Sequence, residues 1–308
     1  MTFYKKLDTM MKQDIGGRGL LEYLPENPIK EAATTLKHAD RVILLTGFPV
    51  RMADGSCIGE TDGPSGTANL AYALTQVGAE VLVVTDQASC HLMEEALLYR
   101  APGTKLMLLP GDDSRSAILE CICSFKPTHF ISLERPGKAK DGHYHNMRGE
   151  IIDDMVADTS LFLSESKKAG AVTISIGDGG NEMGMGTYRS VVESHVPCGS
   201  SICTEEGADI TLTSGVSNWW GWGLAALLSL QSARNLLPTE KQERELLHRV
   251  VLAGGVDGCT KEHTETVDHL SLRTHLSVLR SVSRLLIKEM EHRREQNSMD
   301  QKTGTALF

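Results

Sequence analysis

The chain has 308 residues, of which 41% are hydrophobic and 23% are charged, and its formal net charge at pH 7 is −9. A chain of this length and composition can bury a sizeable core, as one large α/β domain or as two smaller ones. The acidic balance argues against general nucleic-acid binding, because that function leaves a basic footprint on a protein.

From residue 41 onward, short apolar runs alternate with helical patterns, after two predicted helices in the first 40 residues. The apolar runs predict strands at 41–47, 80–86, 105–110, 128–134, 171–176 and 208–214. Helical spacing predicts helices at 28–38, 67–77, 89–100, 113–125, 150–168, 187–195 and 219–237. This alternation predicts an α/β fold, a Rossmann-like three-layer sandwich with a mostly parallel sheet and helices on both faces.

After residue 238 the pattern changes to two amphipathic helices, at 239–252 and 272–295. Apolar residues of the second recur at three- and four-residue steps, so this helix must pack against something. We expect one α/β domain over 1–295, with the helices of 1–40 and of 239–295 packed on it. The polar segment 296–308 is expected to be a frayed tail.

The cysteines and the N-terminal segment indicate the cellular compartment in which the protein is expected. Seven cysteines at irregular spacing do not resemble the disulfide framework of a secreted protein, so we expect a reducing compartment. The N-terminal segment has no apolar signal region and carries Asp8 and Asp14, which is also untypical of a transit peptide. We therefore expect any signal that targets the protein to an organelle to lie on sequence that this chain does not contain. No apolar run approaches the roughly 18 residues needed to span a membrane.

Ligands of open α/β sheets bind beyond the carboxyl ends of the strands, near the point where strand order reverses. Acidic or hydroxyl residues follow nearly every predicted strand: Thr46, Thr85, Asp86, Glu134, Asp178, Thr213 and Ser214. We therefore expect a polar site at this edge of the sheet. Asp257 and Asp268 are turn residues by default, and they become candidates only if the C-terminal segment folds back over the strand ends.

The richest of these exits is the turn 177–186, where Asp178, Asn181 and Glu182 lie between glycines. Glycines suit a tight strand-to-helix turn in which the backbone approaches a ligand. Because Asp178 and Glu182 leave a buried strand together, the pattern favours a functional site. The alternative is a structural turn in which Asn181 caps the following helix.

The loop 59–66 is the second candidate. Gly63, Ser65 and Gly66 precede a predicted helix, where backbone N–H groups could bind a carboxylate or a phosphate. Glu60 and Asp62 would repel such an anion unless a cation lay between them, and hard cations favour carboxylate oxygens. The alternative is a capped turn with Asp62 or Ser65 as the N-cap. The loop matches neither a Walker motif nor G-x-G-x-x-G.

Two further features are weaker. Glu134 is followed by Arg135, and a simple surface pair explains the two at least as well as a site does. His143 and His145 have a spacing that can bind a transition metal, but no cysteine or further histidine lies nearby. We interpret the long loop 135–149 as a mobile cover for the site.

Four stretches of the chain occur together: Gly16-Gly-Arg-Gly-Leu20, Gly47-Phe-Pro-Val50, Gly59-Glu-Thr-Asp-Gly-Pro-Ser-Gly66 and Gly177-Asp-Gly-Gly-Asn-Glu-Met-Gly184. Over nearly the whole chain they resemble the C-terminal domains of the D-glutamate cyclase family. The resemblance implies dehydration of D-glutamate to 5-oxo-D-proline. It also implies a longer protein of the mitochondrial matrix, with an N-terminal hydro-lyase-like domain, and a divalent metal ion as in related microbial domains.

The resemblance gives the polar site a reaction, in which the lactam closes and water leaves an amino-acid substrate. We expect Mg²⁺, Mn²⁺ or Ca²⁺ on Glu60, Asp62, Asp178 and Glu182. The expected catalytic groups are Asp178, Glu182 and Glu134. The expected substrate contacts are Gly63, Ser65, Gly66, Asn181 and Thr46. No nucleotide cofactor is expected.

Two alternatives from other functional classes stay open. A metal-dependent phosphatase acting on a small phosphorylated metabolite would use the same carboxylates, with the phosphate in the turn 63–66. A non-catalytic small-acid-binding domain of a larger enzyme would bind D-glutamate or 5-oxoproline without turnover. Each alternative, like the cyclase, is compatible with a homo-oligomer.

Overall fold

A computed structural model describes the backbone of residues 1–304; residues 305–308, and the side chains of residue 297 and of residues 299–304, lie outside the description. Its strands are, in chain order, β1 (Arg41–Thr46), β2 (Pro49–Arg51), β3 (Cys57–Gly59), β4 (Glu80–Thr85), β5 (Lys105–Leu108), β6 (His129–Leu133), β7 (Val172–Gly177), β8 (Ile210–Thr213), β9 (Thr266–Val267) and β10 (Leu270–Ser271). Its α-helices are α1 (Phe3–Met11), α2 (Ile29–Leu36), α3 (Pro64–Gln76), α4 (Cys90–Arg100), α5 (Ser114–Phe125), α6 (Leu161–Lys168), α7 (Arg189–His195), α8 (Gly199–Ile202), α9 (Asn218–Ser232), α10 (Glu240–Leu252) and α11 (Leu272–Gly304).

Six of these strands form one sheet in the order β5-β4-β1-β6-β7-β8. Every neighbouring pair in it is parallel. Counted along the chain, the order is third, second, first, fourth, fifth, sixth, which is the order of the Rossmann fold. The predicted fold class is therefore confirmed. The strand order reverses between β1 and β6, so a ligand is expected at the carboxyl ends of these two strands.

Strand β1 illustrates why both faces of the sheet are covered. Val42 and Leu44 pack into the larger core, which includes α3 and α9. Ile43 and Leu45 pack on the opposite face, into the core that includes α5 and α6. Successive side chains of a strand point to opposite faces, so an uninterrupted apolar run produces a strand that is buried on both sides.

The predicted helix 150–168 is wrong over its first part. A single 3-10 turn occupies Asp153–Met155, and α6 begins only at Leu161. The backbone N–H of Tyr144 donates to Asp153 Oδ1 at 2.7 Å. This contact ties the segment to the preceding loop, and polar side chains that bind backbone groups compete with helix formation.

Other boundaries differ for identifiable reasons. Helix α3 begins at Pro64 rather than at residue 67, because proline suits the first position of a helix. Helix α9 ends at Ser232 rather than at residue 237, and Ala233 follows with a φ of 54°, a left-handed conformation that terminates helices. The hairpins β2–β3 and β9–β10 were not predicted, because each is very short.

Both ends of the chain contribute to the larger core. Buried side chains of α1, α2, α10 and α11 belong to the same cluster as those of α3 and α9. Helix α11 continues to Gly304, so residues 296–304 of the predicted frayed tail are helical, and the rest of that tail lies outside the described residues. Within residues 1–304, no helix is both long and apolar enough to cross a membrane.

Candidate functional site

A cleft of about 140 Å³ lies at the carboxyl ends of the strands, and its lining includes Glu134, the residue after β6. Thr46 ends β1, and Glu134 directly follows β6. Both are buried, with exposures of 0% and 5%. Glu134 lines the cleft, so the structure brings this predicted strand-exit residue to a cleft at the expected edge of the sheet.

A triad of buried carboxylates, Asp62, Glu134 and Asp178, lies beside the cleft, and Glu134 is the member of the triad that lines it. Each offers one oxygen, and the three oxygens lie within 4.8 Å of one another. The backbone N–H of Ser217, at the start of α9, donates to Asp62 Oδ2 at 3.0 Å and to Asp178 Oδ2 at 3.1 Å. A helix N-terminus favours negative charge, so α9 helps to hold the two carboxylates together. Asp62 and Asp178 are two of the four predicted metal ligands, and Glu134 was predicted in a catalytic role.

At the start of α3, the N–H groups of Gly63 and Gly66 are already hydrogen-bonded. The side-chain oxygen Oδ1 of Asn218 accepts hydrogen bonds from Gly63 N at 3.0 Å and from Gly66 N at 2.6 Å. The hydroxyl of Ser65 donates to the buried Glu243 of α10. A substrate carboxylate would have to displace Asn218, so the geometry argues against the predicted substrate contacts Gly63, Ser65 and Gly66.

Asn218 instead positions the acidic triad. Its backbone N–H donates to Asp62 Oδ1 at 2.8 Å, while its side-chain amide donates to the carbonyl of Thr61 at 3.0 Å. Gly63 must be a glycine here, because its φ is 103° and a Cβ would lie 2.8 Å from Thr46 Oγ1. The loop 59–66 is therefore a capped turn, but the cap comes from α9 rather than from Asp62 or Ser65 alone.

The turn 177–186 is organised by Glu182. Its carboxylate accepts hydrogen bonds from the N–H groups of Gly179 and Gly180, each at 2.7 Å, and from that of Asp178 at 3.2 Å. Glu182 also lines the cleft, but both of its oxygens already hold the turn. Both oxygens of Asp178 are engaged as well, by Arg18 and by the N–H of Ser217, so the predicted metal and catalytic roles of both residues stay predictions.

Asn181 also holds backbone. Its side-chain amide donates to the carbonyl of His145 at 2.9 Å, which ties the turn to the loop 135–149. It does not cap the next helix, since α7 begins only at Arg189. Asn181 lines the cleft, and its predicted substrate contact stays a prediction.

The loop 135–149 covers one side of the cleft, to which it contributes Asn146, Met147 and Arg148. Its histidines face carboxylates rather than a shared metal position. His143 Nδ1 lies 2.6 Å from Asp153 Oδ2, and His145 Nε2 lies 2.9 Å from Asp141 Oδ2. The location agrees with the prediction of a cover; its mobility stays a prediction.

Glu134 and Arg135 are not a surface pair, contrary to the simpler interpretation. The Arg135 side chain is 0% exposed, and its Nη1 lies 2.5 Å from Asp86 Oδ2. Glu134 has a φ of 48°, in the left-handed region that a non-glycine residue seldom adopts. Its Oε2 and the hydroxyl of Thr46 have no hydrogen-bond partner in the described part of the chain. Such unpaired buried atoms need an explanation, for instance an ion or a water that is not part of the structure.

Arg18 is the site residue that the sequence reasoning missed. Its guanidinium contacts Asp178 through Nη1, and Nη2 lies 2.7 Å from Asp268 Oδ1. The loop that carries it is held by Asp14, which accepts from Arg18 N at 2.9 Å and from Gly19 N at 2.6 Å. In the sequence, the glycines that flank Arg18 in the stretch 16–20 were the signal that could have identified it as a site residue.

The C-terminal segment folds back over the strand ends, where Thr61 N donates to the carbonyl of Val256 at 2.9 Å, so Asp257 and Asp268 become candidates. Asp268 lines the cleft together with Glu60. Asp257 is fully buried and holds backbone, because it accepts from Cys259 N at 2.9 Å and from His269 N at 2.7 Å. Asp268 therefore belongs to the site, and Asp257 positions the segment that carries it.

The electrostatics of the cleft are dominated by an excess of carboxylates. Burial, with the charges of neighbours such as Asp268 as a second cause, raises the pKa of Asp62 to about 8. Burial likewise raises the pKa of Glu60 and of Glu134 well above the ordinary value, and their acidic neighbours add to it. Burial works against the charge of Arg18, but the surrounding carboxylates outweigh it and raise its pKa. This environment favours a bound cation, since a cation near a carboxylate stabilises the charged form.

Comparison with known proteins identifies the family of the chain. A family model described as "D-glutamate cyclase-like, C-terminal" matches residues 7–283. The human protein named "D-glutamate cyclase, mitochondrial" is 33% identical in an alignment of 236 residues, which covers 73% of this chain and 38% of that protein. A solved structure titled as a putative hydrolase of the HAD superfamily (subfamily III A) from Legionella pneumophila is 12% identical to this chain. Its TM-score is 0.32, and the match covers 73% of this chain and 94% of that one. Similarity at this level does not indicate a shared fold or function.

The chain spans well under half the length of the human relative, with 38% of it matched. The family match, by contrast, extends from α1 to α11 and includes all six strands of the parallel sheet. It contains the carboxylates of the triad and also Arg18, Glu60 and Asp268. The chain therefore belongs to the D-glutamate cyclase-like C-terminal domain family.

Proposed function

We propose that the cleft is the active site of a lyase that dehydrates D-glutamate to 5-oxo-D-proline with the help of a divalent metal ion. The observation that carries the proposal is the triad Asp62, Glu134 and Asp178, three buried carboxylates whose oxygens lie within 4.8 Å. The triad lies at the strand-order reversal of a parallel sheet, where such folds bind ligands. The name of the human relative supplies the substrate.

The residues present fit a hard cation. Mg²⁺, Mn²⁺ and Ca²⁺ prefer oxygen ligands, above all carboxylates, and the triad would hold the ion. The unpaired Oε2 of Glu134 and the unpaired hydroxyls of Thr46 and Ser217 lie in buried positions among the described residues, as expected beside a charged ligand. When bound, the ion would supply Lewis-acid polarisation of the substrate γ-carboxylate.

The protons can be accounted for by the chain's own groups. As the C–N bond forms and a γ-C–O bond breaks, the α-ammonium nitrogen loses two protons and the departing oxygen gains two, leaving as water. Glu134 lines the cleft and has a buried oxygen, Oε2, without a partner in residues 1–304. We assign to it the transfer of these protons from nitrogen to oxygen, since a general acid–base group must lie within hydrogen-bond reach of the proton that it moves.

The mouth of the cleft suits the second carboxylate of the substrate. Arg51, Arg148 and Lys261 line it. Arg51 is paired with Asp154 at 2.6 Å, and Lys261 Nζ donates to the backbone carbonyl of Arg51 at 2.9 Å. With positive side chains at the mouth of the cleft and the acidic triad deeper in the protein, glutamate would bind with its α-carboxylate outward and its γ-carboxylate toward the triad. This pose replaces the predicted carboxylate site in the turn 63–66.

The two alternatives receive different support. A phosphatase would need the turn 63–66 as a phosphate cradle, but Asn218 already occupies the N–H groups of Gly63 and Gly66. A non-catalytic small-acid-binding domain would use the same cleft without turnover. Formation of 5-oxoproline from D-glutamate distinguishes the enzyme from such a domain.

The test uses the purified chain, stripped with EDTA and reloaded with Mg²⁺, Mn²⁺ or Ca²⁺. NMR should detect 5-oxoproline from D-glutamate only after reloading. Glu134→Gln should lower kcat by about 10²–10⁴-fold, the usual contribution of a general acid–base group. Glu120→Gln, on the exposed surface of α5, is the matched control and should leave kcat unchanged.

Full activity in EDTA, or an unaffected Glu134→Gln variant, would contradict the assignment. Binding of D-glutamate without product in any metal would favour the non-catalytic domain. The human relative is named mitochondrial, and from the family resemblance we also propose a mitochondrial-matrix location and an N-terminal hydro-lyase-like partner domain. A partner made as a separate chain should then raise turnover or affinity when it is added back.

A further inference from the structure

The hairpin β9–β10 carries Asp268 at the cleft, with the backbone of its turn in the left-handed conformation. Val267 pairs with Leu270, so Asp268 and His269 form a two-residue connection. Their φ angles are 52° and 56°. Two left-handed residues are typical of a type I′ turn, which strongly prefers a glycine at its second position. His269 occupies that position here, so the hairpin keeps its shape through contacts rather than through local preference.

Several buried contacts hold this hairpin in place. The carboxylate of Asp257 accepts from His269 N at 2.7 Å. The ring nitrogen Nε2 of His275 lies 3.2 Å from the carbonyl of Val267, and the indole of Trp219 donates to His275 Nδ1 at 3.0 Å. The position of Asp268 is therefore determined by α9, α11 and the turn at Asp257.

Glu60 approaches the same wall of the cleft from the other side. Its backbone N–H donates to the carbonyl of Phe48 at 3.0 Å, and its side chain is directed at Gly258, where a Cβ would lie 1.9 Å from Glu60 Oε2. Only glycine leaves room for the carboxylate at that point. Glu60 is 8% exposed and Asp268 is 6% exposed, and both line the cleft.

These two carboxylates lack a full complement of positive charge. Arg18 reaches Asp268 Oδ1 through one nitrogen and Asp178 through another. Asp268 Oδ2 is buried and has no hydrogen-bond partner within the described residues. A buried charge without a partner is costly, so this wall of the cleft is built for a positively charged group.

We propose that Glu60 and Asp268 bind the α-ammonium group of the substrate, an inference that rests on the function proposed above. An ammonium has three donors and no acceptor, which suits two carboxylates on one wall. The substrate class is then an α-amino acid with a distal carboxylate, and the corresponding diacid without the amine binds poorly. The predicted metal-binding role of Glu60 is replaced by substrate recognition.

A second metal ion fits this position less well than an ammonium. In the described part of the chain, the acidic groups close enough to share an ion are Asp62, Glu134 and Asp178, and neither Glu60 nor Asp268 belongs to that set. Hard divalent cations take six or more oxygen ligands. Three hydrogen bonds satisfy an ammonium.

The test compares D-glutamate with glutarate, its analogue without the amine, by calorimetric titration into the Mn²⁺-loaded protein. The wild type should prefer D-glutamate by about tenfold or more, because hydrogen bonds between charged groups are worth that much. Asp268→Asn and Glu60→Gln should each remove most of this preference while leaving the affinity for glutarate nearly unchanged. Glu262→Gln, exposed on the same segment, should keep the preference.

The outcomes separate the inference from the proposed function. Amine-dependent binding that Asp268→Asn and Glu60→Gln abolish, without formation of 5-oxoproline, would support the inference and overturn the function. Turnover with an unchanged preference in both variants would overturn the inference alone. Absence of any preference in the wild type would overturn it, as would a loss of one bound Mn²⁺ in the variants. Thermal unfolding establishes that each variant is folded.

Discussion

Two buried ionic clusters lie at the carboxyl edge of the sheet, and they differ in how their charges are balanced. In one, Arg135 pairs with Asp86 at 2.5 Å and also donates to the carbonyls of Gly47 and Ala157 at 3.2 and 2.7 Å. One cation meets one carboxylate, and the two carbonyls and the hydroxyl of Thr159 accept from its other donors. Asp86 Oδ1 has no hydrogen-bond partner among the described residues, but the charges of the pair are balanced. This cluster can be understood as part of the framework.

The acidic cleft is the opposite case. Arg18 contacts two carboxylates there, Asp178 and Asp268. The buried carboxylates of this region are Glu60, Asp62, Glu134, Asp178, Glu182 and Asp268. An imbalance of this kind costs stability unless a ligand, an ion or protons compensate for it. The comparison teaches that the balance of charges, rather than the burial of charged groups, distinguishes a candidate site from a structural ion pair.

The largest expected effect would come from breaking the balanced cluster. Arg135→Met leaves Asp86 buried without its cation, and removal of one partner of a buried pair typically costs about 3–5 kcal/mol. Urea denaturation measures the loss of unfolding free energy. Arg115→Met, exposed on α5, should change it by less than about 0.5 kcal/mol. Equal small effects of the two variants would show that the Arg135–Asp86 pair is not structural.

The acidic cleft should respond to pH in the opposite sense from an ion pair. The pKa of Asp62 rises from 3.8 to about 8 on folding. The stability that its protonated form provides is fully present below pH 3.8 and is lost as the pH rises through about 8. In EDTA, the wild type should lose a few kcal/mol across this window, whereas Asp62→Asn should lose less.

Urea midpoints of the two proteins, measured at intervals between pH 4 and pH 9, give this difference directly. Added Mn²⁺ should restore the stability of the wild type at the alkaline end, because metal binding stabilises the folded state by mass action. A wild type that became more stable with rising pH, relative to Asp62→Asn, would contradict the assignment of an uncompensated carboxylate.

The smallest expected effect concerns the backbone of the cleft wall. His269→Gly relieves a left-handed residue, which costs roughly 1–2 kcal/mol, and part of the gain is lost to the greater freedom of glycine in the unfolded chain. A net stabilisation of about 0.5–1 kcal/mol is expected in thermal unfolding. His292→Gly, in the middle of α11, should instead destabilise by about 1 kcal/mol. Destabilisation by both variants would argue that His269 makes contacts that compensate for its conformation.

Much of the framework could be predicted from the sequence, because each strand of a covered parallel sheet is an uninterrupted apolar run. The same rule located Thr46, Glu134 and Asp178, since the carboxyl ends of parallel strands meet at one edge. Asp62 followed from its place in the loop after β1. These residues depend on local pattern and on one general property of α/β sheets.

Arg18 could not be predicted, and Asp268 could be named only conditionally, because tertiary packing brings both residues to the site. Arg18 and Asp268 arrive from opposite ends of the chain, and no local pattern specifies where a loop or a two-residue hairpin docks. The direction of Ser65 depends on where α3 begins: with Pro64 at the first position, its hydroxyl points to Glu243 of α10. The carboxylate of Glu182 folds back on its own turn, which the spacing of glycines does not reveal.

The contact of Arg18 with both Asp178 and Asp268 has a consequence for the order of folding. It joins a segment near the N-terminus, a strand exit in the middle and a hairpin near the C-terminus, so its closure requires loops of more than one hundred residues. Long-range contacts of this kind form late, after the sheet and helices are assembled. During synthesis, ligand-binding competence would then appear only once residue 268 has left the ribosome and both chain ends have docked. In refolding, recovery of binding should lag behind recovery of secondary structure.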